Sequence, residues 1–217
     1  MTYLSCPVMN IIVQQIIDGL RATTLPEAIA VIAGITSVYL EQKENILLYP
    51  IGLINTILYV YLSFSAHLLG EASVNLFYTI ISIYGWMAWS RRTKAQAPAL
   101  QVTFSSSKEW GYQLLFFAGC YAGLFAALTA LKHYFTPGAI PWADAFAAAA
   151  AYTGMLLLAR KKVESWYWWI ATNAASIPLY LVKGYAFSSV QFLVFSVMSV
   201  VGLIAWQRKA RAVLAKA

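Results

Sequence analysis

Apolar residues fall along this chain in seven long stretches, approximately 26–40, 45–64, 73–90, 110–131, 141–159, 165–182 and 188–207, separated by charged or turn-rich breaks. Each approaches the ~17–25 residues that a helix needs to cross a bilayer, the first being somewhat short. No alternating pattern of strand-length segments appears, so the stretches read as helices with internally satisfied backbones rather than as barrel strands. Ahead of them, Val8, Ile12, Ile16 and Leu20 share one side of a helix while Gln14, Gln15 and Asp18 lie elsewhere. That is the pattern of a short amphipathic helix lying in the membrane interface. No Lys or Arg precedes its apolar part, unlike a cleaved signal peptide.

Composition agrees with a membrane protein. Of 217 residues, 61% are hydrophobic and 11% charged, with a mean hydropathy of +0.66; a soluble domain carries about 25% charged residues. The abundance of Trp, Tyr and Phe excludes disorder. Two cysteines, Cys6 and Cys120, form neither a disulfide framework nor a metal-ligand spacing. The net charge of +7 is a topology signal once its location is considered. With seven spans, the connection 41–44, the loop 91–109, the turn 160–164 and the C-terminal tail share one side. Those segments hold twelve of the fifteen Lys and Arg residues, leaving Arg21, Lys132 and Lys183 opposite. The excess places that side in the cytoplasm and the N-terminus outside, and no nucleic-acid partner is expected.

Shifting the chain by 117 or 118 positions superposes its two ends. Glu27 falls on Asp144, Asn55 on Asn173, Gly85 on Gly202, and Trp89-Ser90-Arg91-Arg92 on Trp206-Gln207-Arg208-Lys209. Two three-helix halves with one helix between them run in the same direction, so the repeats are parallel. The expected organisation is an interfacial segment 1–25, a first repeat 26–92, a cytoplasmic loop 93–109, a connecting helix 110–131, a second repeat 132–207 and a basic tail 208–217. The connecting helix carries Gly119-Cys120-Tyr121-Ala122-Gly123, a close-packing motif that serves either within a protomer or between protomers.

Nothing resembling catalytic machinery or a metal cluster is visible, and no cofactor is expected. His67 and His133 fall in outer loops, and no Asp, Glu, Lys or Arg is expected deep in a span. The interior chemistry is instead amide, hydroxyl and aromatic. Asn55 and Asn173 each stand about ten residues into their helices, roughly 15 Å and near the bilayer midplane. If the repeat holds, they face one another. Tyr49 and Pro50 precede Asn55 and Tyr59 lies one turn beyond it, while Trp166 and Trp169 precede Asn173. Trp169 and Asn173 share a helix face, so an indole plane can stack on a ligand ring while the carboxamide bonds its polar edge. Asn75, Tyr78, Ser82 and Trp86 form a stripe on the third helix, with Tyr180, Gln191 and Ser199 as polar or aromatic neighbours in the second half. Trp89, Trp110, Trp142, Trp206 and also Trp166 suit an interfacial aromatic belt. Pro50 and Pro178 are candidate hinges. Glu27, Glu71 and Asp144 lie at the outer face, where they could draw in a cation, and placement near helix N-termini explains Glu27 and Asp144 more cheaply.

These motifs resemble those of the PnuC family of vitamin transporters. The similarity rests on Tyr49-Pro50-Ile51-Gly52-Leu53-Ile54-Asn55 with Tyr59, on Ser82-Ile83-Tyr84-Gly85-Trp86 with Trp89, and on Glu164 to Asn173, whose Trp169 and Asn173 match the family's WxxxN motif. Ile177-Pro178-Leu179-Tyr180 and Lys183-Gly184 continue it. Family members commonly carry Gln where this chain has Asn75. The resemblance implies a three-plus-one-plus-three helical fold like that of the SWEET sugar transporters and assembly as a homotrimer in the lipid of the prokaryotic inner membrane. It also implies facilitated uptake of nicotinamide riboside, trapped by intracellular phosphorylation, with thiamine and riboflavin as related cargoes. A retinal photoreceptor would need a lysine midway along the last helix, and 188–207 has none. A membrane enzyme would need a nucleophile with its base, a carboxylate pair or a metal cluster. A structural or sensory seven-helix protein would tolerate the matched amides without requiring them.

Overall fold

The computed structural model describes residues 7–65, 69–93, 98–135 and 140–215. Cys6, His67, Lys94 and Lys216 lie outside the described residues, as do the side chains of Glu71, Lys132 and His133. All regular elements among the described residues are helices: α1 (Pro7–Ala22), α2 (Leu25–Gln42), α3 (Leu48–Ser65), α4 (Leu69–Ser90), α5 (Ser107–Phe135), α6 (Pro141–Ala159), α7 (Ser165–Val182) and α8 (Ala186–Leu214).

Local chemistry fixes the helix ends. Thr24 and Glu27 form a reciprocal capping box at α2, the Glu27 carboxylate accepting the Thr24 amide at 2.7 Å. Asp144 accepts the Ile140 amide at 2.7 Å and pairs with Lys183 at 2.6 Å. Both acids thus act where an anion neutralises a helix N-terminus. The α2–α3 and α6–α7 turns end alike. Glu44 and Lys161 take φ of 56° and 53°, and the next amide returns to the Leu40 and Leu157 carbonyls respectively. Glycine is usual at such a left-handed cap. Here the strained residues meet each other, Lys161 Nζ to Glu44 Oε2 at 2.9 Å, with Lys209 3.2 Å from Glu44 Oε1.

Packing follows chain order within two groups, α2–α3–α4 and α6–α7–α8. Between the groups α4 lies on α6 and α2 on α8, which closes a circuit of six helices. The α5 helix packs chiefly on α6, and α1 lies on α8 after a 108° bend from α2. The loop after α4 is stitched onto the α6–α7 turn. Thr103 N donates to Lys161 O, Val163 N donates to Thr103 O, and Glu164 accepts both the Ser105 amide and hydroxyl.

Four helices, α3, α5, α6 and α8, are each long and apolar enough to cross a membrane; α2 joins them only when taken with α1 as one bent unit. The sequence pattern predicts seven spans. Of the three helices that fall short, α2 carries Glu41 and Gln42, α4 carries Asn75, Thr79 and Ser82, and α7 carries Ser165, Thr172, Asn173 and Ser176. Helices that turn polar residues inward score as less apolar than helices that face lipid.

Two glycines mark where helices and rings approach most closely. A Cβ on Gly85 would overlap the Tyr49 ring, and one on Gly202 would overlap the Trp166 ring. Gly202→Ala is therefore expected to lower stability by about 1–3 kcal/mol, because overpacking against a fully buried indole outweighs the better helix propensity of Ala. Thermal unfolding in detergent checks this; an unchanged or raised Tm would contradict it.

Candidate functional site

The end of the molecule that carries the α2–α3 and α6–α7 turns is closed by aromatic rings. Tyr49, Trp166 and Trp206 are fully buried and Trp89 is nearly so. Trp89 and Trp206 lie 6.2 Å apart between centroids, Tyr49 meets Trp89 edge-on at 5.2 Å, and Trp166 meets Trp206 edge-on at 5.6 Å. Trp89 Nε1 donates to the Ala159 carbonyl at 3.2 Å and Trp206 Nε1 to the Glu41 carbonyl at 3.1 Å, so each indole ties its own helix group to the other. Lys161 Nζ sits 4.4 Å from the Trp89 ring centroid, adding a cation–π contact to its pairing with Glu44. The belt assignment of Trp89, Trp166 and Trp206 is therefore overturned. Position near a helix end fits an interfacial ring or a ring turned inward, and helix packing decides between them. Trp142 is 63% exposed.

Beyond this plug lies an aromatic and polar cluster between the helix groups. Trp169 of α7 faces Tyr78 of α4 at 6.2 Å, Tyr78 faces Tyr152 of α6 at 6.4 Å, and Phe77 packs on Tyr152 at 4.2 Å. Tyr180 approaches Tyr78 and packs on Phe192 at 5.0 Å. Ser82, one turn along α4 from Tyr78, is buried. Asn173 is buried, and its Nδ2 donates to Ser199 Oγ at 3.2 Å across the α7–α8 seam. Gln191 is half-buried two turns before Ser199 on α8. A cleft of about 280 Å³ beside Glu44, Leu100, Lys161 and Lys209 belongs to the loop-bearing end and lies outside this cluster.

The four aromatics of the α7 start point to four places. Trp166 enters the plug, and exposed Tyr167 accepts from Gln207 Nε2 at 2.9 Å. Trp168 donates to Gln113 Oε1 of α5 at 3.2 Å, and Trp169 enters the cluster. Successive residues turn by about 100° on a helix, which spreads a continuous aromatic run over all its sides.

Asn55 stands elsewhere. Its Nδ2 donates to the Ala30 carbonyl at 2.7 Å in the α2–α3 seam, where Gly34 makes the room. Thr172 Oγ1 approaches the Ala147 carbonyl at 3.5 Å over the same separation of 25 positions. Other repeated contacts keep the register of 117, Glu44 meeting Lys161 and the Tyr49–Trp89 pair matching Trp166–Trp206, while the indole acceptors Ala159 and Glu41 sit one position off it. Asn55 thus corresponds to Thr172, and the expected pairing with Asn173 is off by one residue. On a helix that one residue turns the side chain to another neighbour. Tyr59 lies one turn along α3 from Asn55 and Asn75 one turn before Thr79, whose hydroxyl donates to the Asn75 carbonyl at 2.9 Å. Trp86 is 40% exposed, so the inward stripe of α4 runs through Tyr78, Ser82, Gly85 and Trp89 instead. Pro50 occupies the first turn of α3, where an amide has no helical partner and no hinge arises. Pro178 does stand inside α7.

One residue was missed. Glu41, in the last turn of α2, is only 5% exposed. The sequence placed it in a solvated turn because the apolar stretch ends at Leu40. Its position one residue inside a Lys- and Asn-containing break gave no signal of burial; only the α2–α8 contact reveals it.

A family model described as nicotinamide mononucleotide transporter matches residues 24–208. The chain is 26% identical over 205 residues to the nicotinamide riboside transporter PnuC of Escherichia coli strain K12, covering 85% of this chain and 86% of that protein. It is equally 26% identical, over 181 residues, to the riboflavin/roseoflavin transporter RibM of Streptomyces davaonensis, covering 83% of each. The crystal structure of the vitamin B3 transporter PnuC superposes with a TM-score of 0.68 at 20% identity, over 98% of this chain and 94% of that one.

Proposed function

Because the chain belongs to the nicotinamide mononucleotide transporter family, it is an integral membrane transporter and not an enzyme, and we propose that its cargo is nicotinamide riboside. The observation that carries this reading is the Trp169–Asn173 face of α7. Trp169 supplies an indole plane beside Tyr78, and Asn173 supplies a carboxamide one turn along. A pyridinium ring suits the first and its carboxamide suits the second, with Ser82 and Ser199 as candidate partners for ribose hydroxyls.

In this reading α2 to α8 cross the inner membrane as seven spans, three plus one plus three, with α1 lying in the interface. The N-terminus is outside and the C-terminus cytoplasmic. Its support is the exchange of equivalent partners: α4 on α6 mirrors α8 on α2, and Trp89 to Ala159 mirrors Trp206 to Glu41. The aromatic plug then closes the cytoplasmic end, and transport proceeds by alternating opening of that end and the outer one around the Trp169 cluster. No ion coupling is required when phosphorylation in the cytoplasm removes the free nucleoside. A Cβ added at Gly119 or Gly123 of α5 would meet no atom of another described element within 4 Å, which favours their use between protomers of a homotrimer over packing within one.

Riboflavin is the second reading, favoured by the equal identity to RibM. Calorimetric titration of the purified protein in detergent with nicotinamide riboside, thiamine and riboflavin decides. Binding of nicotinamide riboside alone is the expected outcome. Binding of riboflavin or thiamine in its place would move the cargo and keep the family, and binding of none by folded protein would remove the reading.

A further inference from the structure

Glu41 has no part in the site as described so far, yet its setting is unusual for a carboxylate. It is 5% exposed, Oε1 has no hydrogen-bond partner, and no ion pair among the described residues reaches it. The buried cation at the same end, Lys161, is already engaged by Glu44 and the Trp89 ring. The backbone around Glu41 is pinned, its carbonyl accepting from Trp206 and the Gln42 side chain donating to the Met198 carbonyl at 2.8 Å. Its carboxyl faces the Trp169 indole N–H, whose Nε1 likewise lacks a partner, and the unpartnered Tyr49 hydroxyl is close by.

A buried acid without a counter-ion is costly unless a cation arrives to compensate it. Trp169 links this acid to the cluster, its ring meeting Tyr78 in a T-shaped contact at 6.2 Å while its N–H faces Glu41. A cationic ring stacked on that indole would lie within the field of the carboxylate, in a place shielded from water. We propose that Glu41 is the counter-charge for a cationic aromatic cargo and sets the preference of the site for charged over neutral rings. Trp169 supplies ring contact that charged and neutral aromatics share, whereas Glu41 supplies the term that separates them. The proposal rests on the vitamin-transport reading above, but not on which cationic vitamin is carried.

The test compares matched ligands. Nicotinamide riboside carries a pyridinium, and benzamide riboside keeps the carboxamide and ribose on a neutral ring. Both are titrated calorimetrically into the full-length wild-type protein and Glu41→Gln, with thiamine, a thiazolium cation, and neutral riboflavin alongside. Wild type is expected to prefer nicotinamide riboside over benzamide riboside by about tenfold or more. Glu41→Gln, which keeps the shape and removes the charge, is expected to weaken nicotinamide riboside by about 30-fold or more and leave benzamide riboside within about threefold. Equal affinities in wild type overturn the proposal without any variant, so it stays testable even if Glu41→Gln fails to fold. Equal losses for both ligands, or none for either, also overturn it. Thiamine bound in place of nicotinamide riboside, and lost in Glu41→Gln, would end the nicotinamide reading and uphold this one. Riboflavin as the sole ligand would end both.

Discussion

Trp169→Ala is expected to weaken nicotinamide riboside binding by about 30-fold to 1,000-fold, the equivalent of about 2–4 kcal/mol, from lost ring stacking and a lost desolvated cation–π contact. Trp169 is half-buried and its nearest ring neighbour in the cluster is Tyr78 at 6.2 Å, so it is not locked in the plug as Trp166 is. The folded state should therefore tolerate the change better than it tolerates removal of a plug ring. Trp169→Phe separates two contributions, keeping an aromatic face while deleting the N–H that points toward Glu41. Its affinity is expected between those of wild type and Trp169→Ala. Calorimetry on the purified variants checks both, and an unchanged Kd in Trp169→Ala would remove the residue from the site.

Trp206→Ala is expected to cost about 3–5 kcal/mol of stability, the largest structural effect in the molecule. The ring is fully buried, packs against Trp89 and Trp166, and donates through Nε1 to the Glu41 carbonyl 165 positions away. Its loss leaves a cavity at the join of the two helix groups and strands a buried acceptor. Trp206→Phe keeps most of the packing and loses the hydrogen bond, so about 1–3 kcal/mol is expected. Thermal unfolding in detergent gives both values. A Tm for Trp206→Ala within a degree or two of wild type would mean that the plug is not a structural keystone. In liposomes, loss of the plug is also expected to raise passive entry of nicotinamide riboside, because the same rings separate the cluster from the loop-bearing end.

Much of the helix layout was legible because apolar run length and helix length are the same physical quantity in a membrane. The placement of Glu27 at the N-terminus of α2 and the α3, α5, α6 and α8 apolar helices follow from local spacing alone. The repeat was also visible, through Gly85 and Gly202 and through Trp89 and Trp206. Its register was not. Sequence identity favoured pairing Asn55 with Asn173, whereas side-chain contacts set Asn55 against Thr172. A shift of one residue is trivial in an alignment and about 100° on a helix.

Among the candidate site residues, the shared face of Trp169 and Asn173 was accessible because i, i+4 spacing fixes it whatever surrounds it. The fates of Trp89, Trp166 and Trp206 were not, since a Trp near a helix end is equally at home in the interface or under a neighbouring helix. Glu41 lay further out of reach. It stands at the boundary between an apolar run and a charged turn, and only contact of α2 with α8 places its carboxyl under cover. The sequence by itself determined the class, the helices and the chemistry on each face, because these depend on periodicity and nearest neighbours. Which faces met, which rings were sealed and which acid lost its water was decided by tertiary packing alone, because burial belongs to pairs of helices and not to either one.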